Sequence, residues 1–133
     1  VKQGFSNYWK KNKKKTITFL GVTFKPNTDD MRESSSLFMI PSLLKKGVAI
    51  KYYDPSGIKK EFKKYRKVLF CKDISKACFK SDLIIIHTDW NEFKNINFKR
   101  IVKKNNFKVY DMRNIYSPSK MKKAKIKYFG IGR

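Results

Sequence analysis

Residues 16–36, TITFLGVTFKPNTDDMRESSS, decide the fold of this chain. The segment Thr16–Phe24 is apolar and rich in β-branched residues, interrupted only by Gly21, which predicts a strand buried on both faces. A polar turn, Lys25–Asp30, comes next, and the apolar residues beyond it predict a helix capped by one of the serines in Ser34–Ser36. A strand, a polar loop and a helix start form the unit with which α/β proteins bind anions, because free backbone N–H groups and the helix dipole point at the ligand.

The rest of the chain alternates short strand patterns with helical ones. After a first helix that ends at Gly47, strands are predicted at 48–53, 68–70, 82–88, 107–112 and 126–131, and helical segments at 58–65, 73–79, 98–104 and from 117. This alternation predicts one α/β domain, Rossmann-like and doubly wound, with a mainly parallel sheet, right-handed crossovers and helices on both faces.

Acidic residues fall just past the predicted strand ends. Half of the ten acidic side chains stand there, at Asp29, Asp30, Asp54, Asp89 and Asp111. Parallel sheets bind ligands at the carboxyl ends of their strands, so the chemically varied loops are expected to gather at that one edge.

The net charge is +23, from 33 basic and 10 acidic residues among 133. Such a charge attracts polyanions, and a nucleic acid or an acidic membrane would fit it. The positive residues are mostly lysines scattered along the chain, however, and no nucleic-acid-binding motif is present. We therefore expect a solvated lysine-rich surface and no specific nucleic-acid partner.

The length suits one domain, and no apolar run is long enough to span a membrane, so no membrane partner is expected. The chain opens on Val1 without a targeting signal, and we interpret this opening as the cut end of something longer. Cys71 and Cys78 match no metal or disulfide pattern, which favours a cytoplasmic setting.

The segment LGVTFKPNTDDMRESSS, residues 20–36, resembles the start of the C-terminal, UDP-binding domain of the UDP-glucose 6-dehydrogenases, within the UDP-glucose/GDP-mannose dehydrogenase family. The resemblance continues in the family's order through YDP at 53–55, TDWNEF at 88–93, DMRN at 111–114 and YFGIGR at 128–133. It implies a UDP-binding domain at 16–133, preceded at 1–15 by the end of the helix that links the two halves of the enzyme.

The resemblance also implies the chemistry of the parent protein. Such an enzyme uses NAD to oxidise UDP-glucose twice, giving UDP-glucuronate, and a cysteine upstream of this chain holds the intermediate. NAD would be bound mainly by the missing N-terminal domain, so no catalytic residue is assigned here and the fragment is expected to be inactive alone. The expected partners are UDP-glucose, the N-terminal and central domains, and further copies in a homo-oligomer. Two alternatives stay open: a dehydrogenase of another nucleotide sugar, or a non-catalytic polyanion-binding module.

Four residues match the family's ligand contacts. The resemblance implies that Phe24, Lys25 and Arg113 contact the UDP-sugar, and that Arg32 reaches NAD on the other domain. An ammonium group at a strand tip and planar guanidinium forks suit phosphates. The alternatives are a solvated Lys25, a core Phe24, a salt bridge from Arg32 to an adjacent acid at 29 or 33, and a loop ion pair for Arg113, whose guanidinium Asp111 would orient.

Other polar residues near the predicted edge are assigned structural roles. Asp54 ends the second strand, where dinucleotide folds hold a ribose, but the glycine fingerprint is missing and a turn is the better interpretation. Trp90 and Glu92 are expected to be structural near the cleft. His87, the sole histidine, is predicted to lie in the core rather than to act as a general base.

Overall fold

The computed structural model describes residues 15–132, which form six strands and four α-helices. The strands are β1 (Thr16–Leu20), β2 (Ala49–Tyr53), β3 (Val68–Phe70), β4 (Leu83–Ile86), β5 (Lys108–Asp111) and β6 (Lys127–Gly130). The helices are α1 (Ser36–Leu44), α2 (Ile74–Cys78), α3 (Phe98–Val102) and α4 (Pro118–Lys123), with short 3-10 turns at Lys60–Phe62 and Asn91–Phe93. The linker helix was predicted over 1–15, and all of it except residue 15 lies outside the described residues.

All six strands are parallel, and their order across the sheet is β3-β2-β1-β4-β5-β6. The chain moves outward from β1 to β3, returns to place β4 beside β1, and then moves outward in the other direction. This order is that of a doubly wound, Rossmann-like sheet, so the predicted fold class is confirmed.

Two buried clusters make up the core, one on each face of the sheet. The first contains Ile40 and Leu43 of α1 together with Phe19 of β1. The second contains Ala77 and Cys78 of α2, with apolar residues of α3 and α4. Helices therefore cover both faces, and β4 is buried along its whole length, as its continuous apolar sequence predicts.

The first strand is shorter than predicted. It was expected to reach Phe24, but it ends at Leu20, because Gly21 adopts a φ of +79° that takes the backbone out of the sheet. The next backbone N–H, that of Val22, donates to the Asp54 carboxylate at 2.8 Å instead of to a neighbouring strand. After the early exit, Thr23 is still buried, and the chain becomes exposed from Phe24 onward.

The predicted serine cap of α1 is confirmed in part, because the Ser34 hydroxyl oxygen accepts from the backbone N–H of Ser36, the first helical residue, at 3.3 Å. Ser35 stands at the N-cap position, but its hydroxyl accepts no helix N–H in the way that a capping side chain does. Ser34 and Ser36 are buried, and both hydroxyls donate to the Val22 carbonyl oxygen, at 2.5 and 2.6 Å. A buried carbonyl without a donor is costly, so the protons of both hydroxyls go to Val22, and Ser34 contributes only an oxygen lone pair to the helix start.

Two other predicted helix starts are confirmed. Asp73 caps α2 by accepting from the backbone N–H of Lys76 at 2.7 Å. Ser117 caps α4 by accepting from the backbone N–H of Lys120 at 3.4 Å, and Pro118 occupies the first helical position, where its missing N–H costs nothing. Both helix starts follow strands, so their caps fix where the chain leaves the carboxyl edge of the sheet.

Candidate functional site

The candidate site lies at the carboxyl ends of β1 and β4. These two strands are neighbours, yet α1, which follows β1, and α3, which follows β4, belong to the clusters on opposite faces. The loops that leave the two strands touch at their base, where the Thr88 hydroxyl donates to the Thr23 carbonyl oxygen at 2.8 Å, and from there they lead to opposite faces. The edge between the two loops, called the crevice below, is the usual ligand position of an open parallel sheet. Phe24 and Lys25 lie on the loop from β1, and residues 87–90 lie on the loop from β4.

Arg113 joins the two sides of this crevice from the loop after β5. Its Nε donates to the carbonyl oxygen of His87 at 2.9 Å, and its Nη2 donates to the carbonyl oxygen of Phe24 at 3.2 Å. The side chain is exposed, and within residues 15–132 it forms no salt bridge, so the predicted alternative of a loop ion pair is wrong. Two carbonyls hold the guanidinium in place, and no carboxylate of the described residues pairs with its charge.

The predicted role of Asp111 is also wrong. It was expected to orient the Arg113 guanidinium, but its carboxylate is fully buried and accepts from backbone N–H groups, that of Arg113 at 3.1 Å and that of Tyr116 at 3.0 Å. The Tyr128 hydroxyl donates to the same carboxylate at 2.8 Å. Asp111 therefore fixes the path of the loop, and the loop in turn presents Arg113.

Phe24 and Lys25 are both exposed at the edge where Arg113 lies. Phe24 is 46% exposed, so the alternative of a core phenylalanine is wrong. Its backbone N–H donates to the carbonyl oxygen of Asp30, and the carbonyl of Lys25 accepts from the Thr23 hydroxyl at 2.9 Å. Because Arg113 binds the carbonyl of the residue next to Lys25, the structure brings the three predicted substrate-binding residues together.

Arg32 lies farther along the same loop and is paired. Its Nε and Nη2 donate to the two carboxylate oxygens of Asp30, each at 3.0 Å, so its partner is neither Asp29 nor Glu33. These hydrogen bonds hold the pKa of Asp30 below its usual value. The Arg32 side chain is 88% exposed, and an ion pair in that setting contributes little to stability. Arg32 can therefore leave Asp30 for another anion at little cost in free energy.

Asp54 is a turn residue, as predicted. Its buried carboxylate accepts from the backbone N–H of Val22 at 2.8 Å and from that of Ser56 at 2.9 Å, and the Ser56 hydroxyl donates to it as well. These three donors occupy the carboxylate that would bind a ribose hydroxyl in a dinucleotide site. The carboxylate joins the turns after β1 and β2 instead.

His87 lies in the core, as predicted, but it also makes polar contacts that sequence reasoning missed. Burial, and next the charge of Arg113, lower its pKa to about 4. Its Nε2 lies 2.9 Å from the Ser35 hydroxyl oxygen, and its Nδ1 lies 2.9 Å from that of Thr88. No local pattern signals a contact between residues 52 positions apart.

Stability should therefore fall in mild acid. The unfolded chain takes up a proton on His87 near its ordinary pKa of 6.5, whereas the folded chain resists protonation down to about 4. The contribution of His87 to the free energy of unfolding is thus fully present above pH 6.5 and is lost as the pH falls toward about 4. Chemical denaturation should show a loss of about 2 kcal/mol between about pH 7.5 and about pH 5.

The control for this measurement is His87→Gln. Since the chain contains one histidine, the variant should show a nearly flat free energy of unfolding over the same interval. An equal decline in wild type and variant would show that another group carries the effect.

Trp90 and Glu92 make hydrogen bonds within the domain, and the two cysteines are buried. Trp90 Nε1 donates to the Thr23 hydroxyl oxygen at 3.3 Å, and Glu92 accepts from the Tyr53 hydroxyl at 3.1 Å, which supports their predicted roles. Cys71 and Cys78 are buried and unpaired, and burial raises the pKa of Cys78 to about 12, which disfavours the thiolate needed for nucleophilic attack.

Two grooves of about 410 Å³ each lie elsewhere. One runs between α2 and α3, the other between α4 and β6, and none of the four predicted site residues lines either of them. In residues 15–132 no group of three or more His, Cys, Asp and Glu side chains is arranged to hold a metal ion. No helix in that part of the chain has the length and apolar character needed to cross a membrane.

Residues 18–118 match the sequence model described as the UDP-glucose/GDP-mannose dehydrogenase family, UDP binding domain. The chain belongs to this family. The match covers β1 through the start of α4 and so includes the loop after β1, the loop after β4 and Arg113. The edge described above is therefore the carboxyl edge of the UDP binding domain of this family.

Relatives in sequence are named UDP-glucose 6-dehydrogenase. The protein from Rickettsia felis is 37% identical over 123 residues, which is 90% of this chain and 28% of that protein. The protein TuaD from Bacillus subtilis is 35% identical over 125 residues, or 91% of this chain and 27% of that protein. The chain thus spans little more than a quarter of the length of these relatives.

Solved structures of nucleotide-sugar dehydrogenases share the fold. The UDP-glucose dehydrogenase of Pyrobaculum islandicum superposes with a TM-score of 0.69 at 26% identity, covering 90% of this chain and 26% of that one. The UDP-D-ManNAc dehydrogenase of Pyrococcus horikoshii does so with a TM-score of 0.71 at 29% identity, covering 97% of this chain and 29% of that one. Sequence and structure therefore agree on a domain of a dehydrogenase family.

Proposed function

We propose that this chain binds UDP-glucose as the C-terminal UDP-binding domain of an NAD-dependent UDP-glucose 6-dehydrogenase, which converts UDP-glucose to UDP-glucuronate. The observation that carries the proposal is the position of Arg113. A guanidinium without a carboxylate partner among the described residues spans the crevice between the β1 and β4 loops, beside Lys25. Two cations at the carboxyl edge of a parallel sheet suit a diphosphate.

Each residue takes a distinct part in this proposal. Arg113 and Lys25 bind the diphosphate, Arg113 through its planar fork and Lys25 as a mobile point charge. Phe24, with nearly half of its surface exposed, packs against the uracil or the sugar. These three assignments agree with the exposure and the shared edge of the side chains.

NAD supplies the hydride acceptor in the whole enzyme, and the residues of this chain do not fit it in the ordinary dinucleotide manner. Gly21 is the only glycine in the first strand and turn, and the Asp54 carboxylate is already occupied by its own turn. We assign NAD mainly to the N-terminal domain, with Arg32 reaching it from this side. The exposed Arg32–Asp30 pair supports that role, because a solvent-exposed contact is all that holds the guanidinium within residues 15–132.

In this proposal the chain has no turnover by itself, because the hydride acceptor site and the nucleophilic cysteine belong to other parts of the enzyme. Its partners are those N-terminal and central domains, and the whole enzyme is a cytoplasmic homo-oligomer. The sugar is glucose, as in the names of the relatives in sequence.

Calorimetric titration of the 133-residue chain tests the proposal. UDP-glucose and UDP should bind more tightly than pyrophosphate, and their affinity should decline only moderately with salt, because two cations make the phosphate contacts. A random-sequence oligonucleotide serves as the control for charge-driven binding. This control is needed because the net charge is +23. Binding that is independent of uridine and falls steeply with salt would contradict the proposal and favour a polyanion-binding module.

A further inference from the structure

Ser35 differs from the two serines that flank it. Ser34 and Ser36 are buried and both donate to the Val22 carbonyl, whereas Ser35 is exposed at the start of α1 and turns its hydroxyl to His87. Its side chain does not cap the helix. A solvent-facing hydroxyl that is held by a buried imidazole is therefore available at the crevice.

The hydrogen bonds around His87 determine where each proton lies. The Thr88 hydroxyl donates its single proton to the Thr23 carbonyl oxygen at 2.8 Å, because a carbonyl can only accept. The Thr88 oxygen must then accept from Nδ1 of His87, 2.9 Å away, so Nδ1 carries the ring proton. In the neutral ring Nε2 is left with a lone pair, and Ser35 is the donor in the 2.9 Å contact.

The ring is neutral at physiological pH because burial, and next the charge of Arg113, lower its pKa to about 4. The Ser35 proton is thus committed to the imidazole, and only oxygen lone pairs of Ser35 face the solvent. Phosphate oxygens at neutral pH are acceptors and gain nothing from such a group. A ligand hydroxyl, which can donate, does gain a hydrogen bond.

The same histidine also fixes the position of this group relative to Arg113. The His87 carbonyl oxygen accepts from Arg113 Nε at 2.9 Å, while its ring holds Ser35. We propose that Ser35 accepts a hydrogen bond from a sugar hydroxyl of the ligand whose diphosphate Arg113 binds, and that His87 is the positioning residue that keeps Ser35 an acceptor. This inference rests on the proposed function.

Affinities of Ser35→Ala for three ligands test the role of Ser35. Pyrophosphate has no hydroxyl, UDP adds the ribose, and UDP-glucose adds the hexose. The variant should bind pyrophosphate as wild type does and should lose about three- to tenfold in affinity for the ligand that carries the recognised hydroxyl. A loss that begins with UDP assigns the ribose, and a loss confined to UDP-glucose assigns the hexose.

The control is Ser75→Ala, which removes another exposed serine hydroxyl, on α2. It should leave all three affinities unchanged. Unchanged affinities in Ser35→Ala, or an equal loss for all three ligands, would overturn the inference while leaving the proposed function intact. No binding of UDP or UDP-glucose by the wild type would overturn both.

Two substitutions of His87 test the positioning role. His87→Gln keeps an acceptor for Ser35 and a donor for Thr88, and should retain wild-type selectivity. His87→Leu removes the acceptor and frees the Ser35 proton, so it should reproduce the sugar-specific loss of Ser35→Ala, and the double variant should show no further loss. Wild-type affinity for the sugar ligands in a folded His87→Leu would overturn this role.

Discussion

Replacing Gly21 by alanine is expected to lower the free energy of unfolding by about 2–5 kcal/mol. The backbone φ of +79° costs a residue with a Cβ about 1–2 kcal/mol. A Cβ at this position would also lie 2.6 Å from Cβ of Thr88 and 3.1 Å from its backbone nitrogen, and relieving such overlap costs about 1–3 kcal/mol more. Thr88 cannot withdraw freely, because its hydroxyl is bonded to the Thr23 carbonyl.

Gly47→Ala is the matched control for this prediction. Gly47 has a similar φ of +87°, but a Cβ there would meet nothing within 4 Å. Its substitution should cost only the backbone part, about 1–2 kcal/mol. Equal losses in the two variants, measured by denaturant unfolding, would show that the close approach of the β1 and β4 loops does not constrain Gly21.

Arg113→Ala is expected to weaken UDP-glucose binding by about 10- to 100-fold, the usual contribution of a charge-assisted hydrogen bond to phosphate. Stability should change little, because the guanidinium is exposed and Asp111 holds the loop through backbone N–H groups. Lys25→Ala should weaken binding by a smaller factor, since an exposed, mobile ammonium loses more side-chain entropy on binding.

Arg113→Lys separates the charge of this side chain from its shape. Lysine keeps the positive charge but cannot donate to the carbonyls of His87 and Phe24 together with a phosphate, as the arginine fork does. The variant should therefore recover only part of the lost affinity. Full recovery of the affinity in calorimetric titration would show that only the charge at this position contributes to binding.

The sequence was sufficient to predict the layers of the fold. Apolar runs such as the one in β4 need burial on both faces, and only a sheet covered by helices on both sides provides it. β3 was placed at its observed bounds, Val68–Phe70. The end of β1 was missed, because a glycine inside an apolar run does not reveal its φ until the neighbouring strand is known.

The candidate site was predictable only in part. The strand-end positions of Phe24, Lys25 and Arg113 follow from the order of strands, and the structure brings these residues to one edge. The contacts of Arg113 with two backbone carbonyls could not be predicted, because a carbonyl has no sequence signature. The Ser35–His87 contact was hidden for a related reason, since it depends on how α1 approaches the end of β4.

The most direct measurement compares two double variants with the same net charge. Lys25→Ala with Arg113→Ala removes the two cations at the carboxyl edge. Lys46→Ala with Arg66→Ala removes two exposed cations elsewhere, at the end of α1 and before β3. The first should lower the affinity for UDP-glucose by about 100-fold and the second by less than about threefold. Equal losses would contradict a diphosphate site at this edge and would leave only the overall charge to explain the binding.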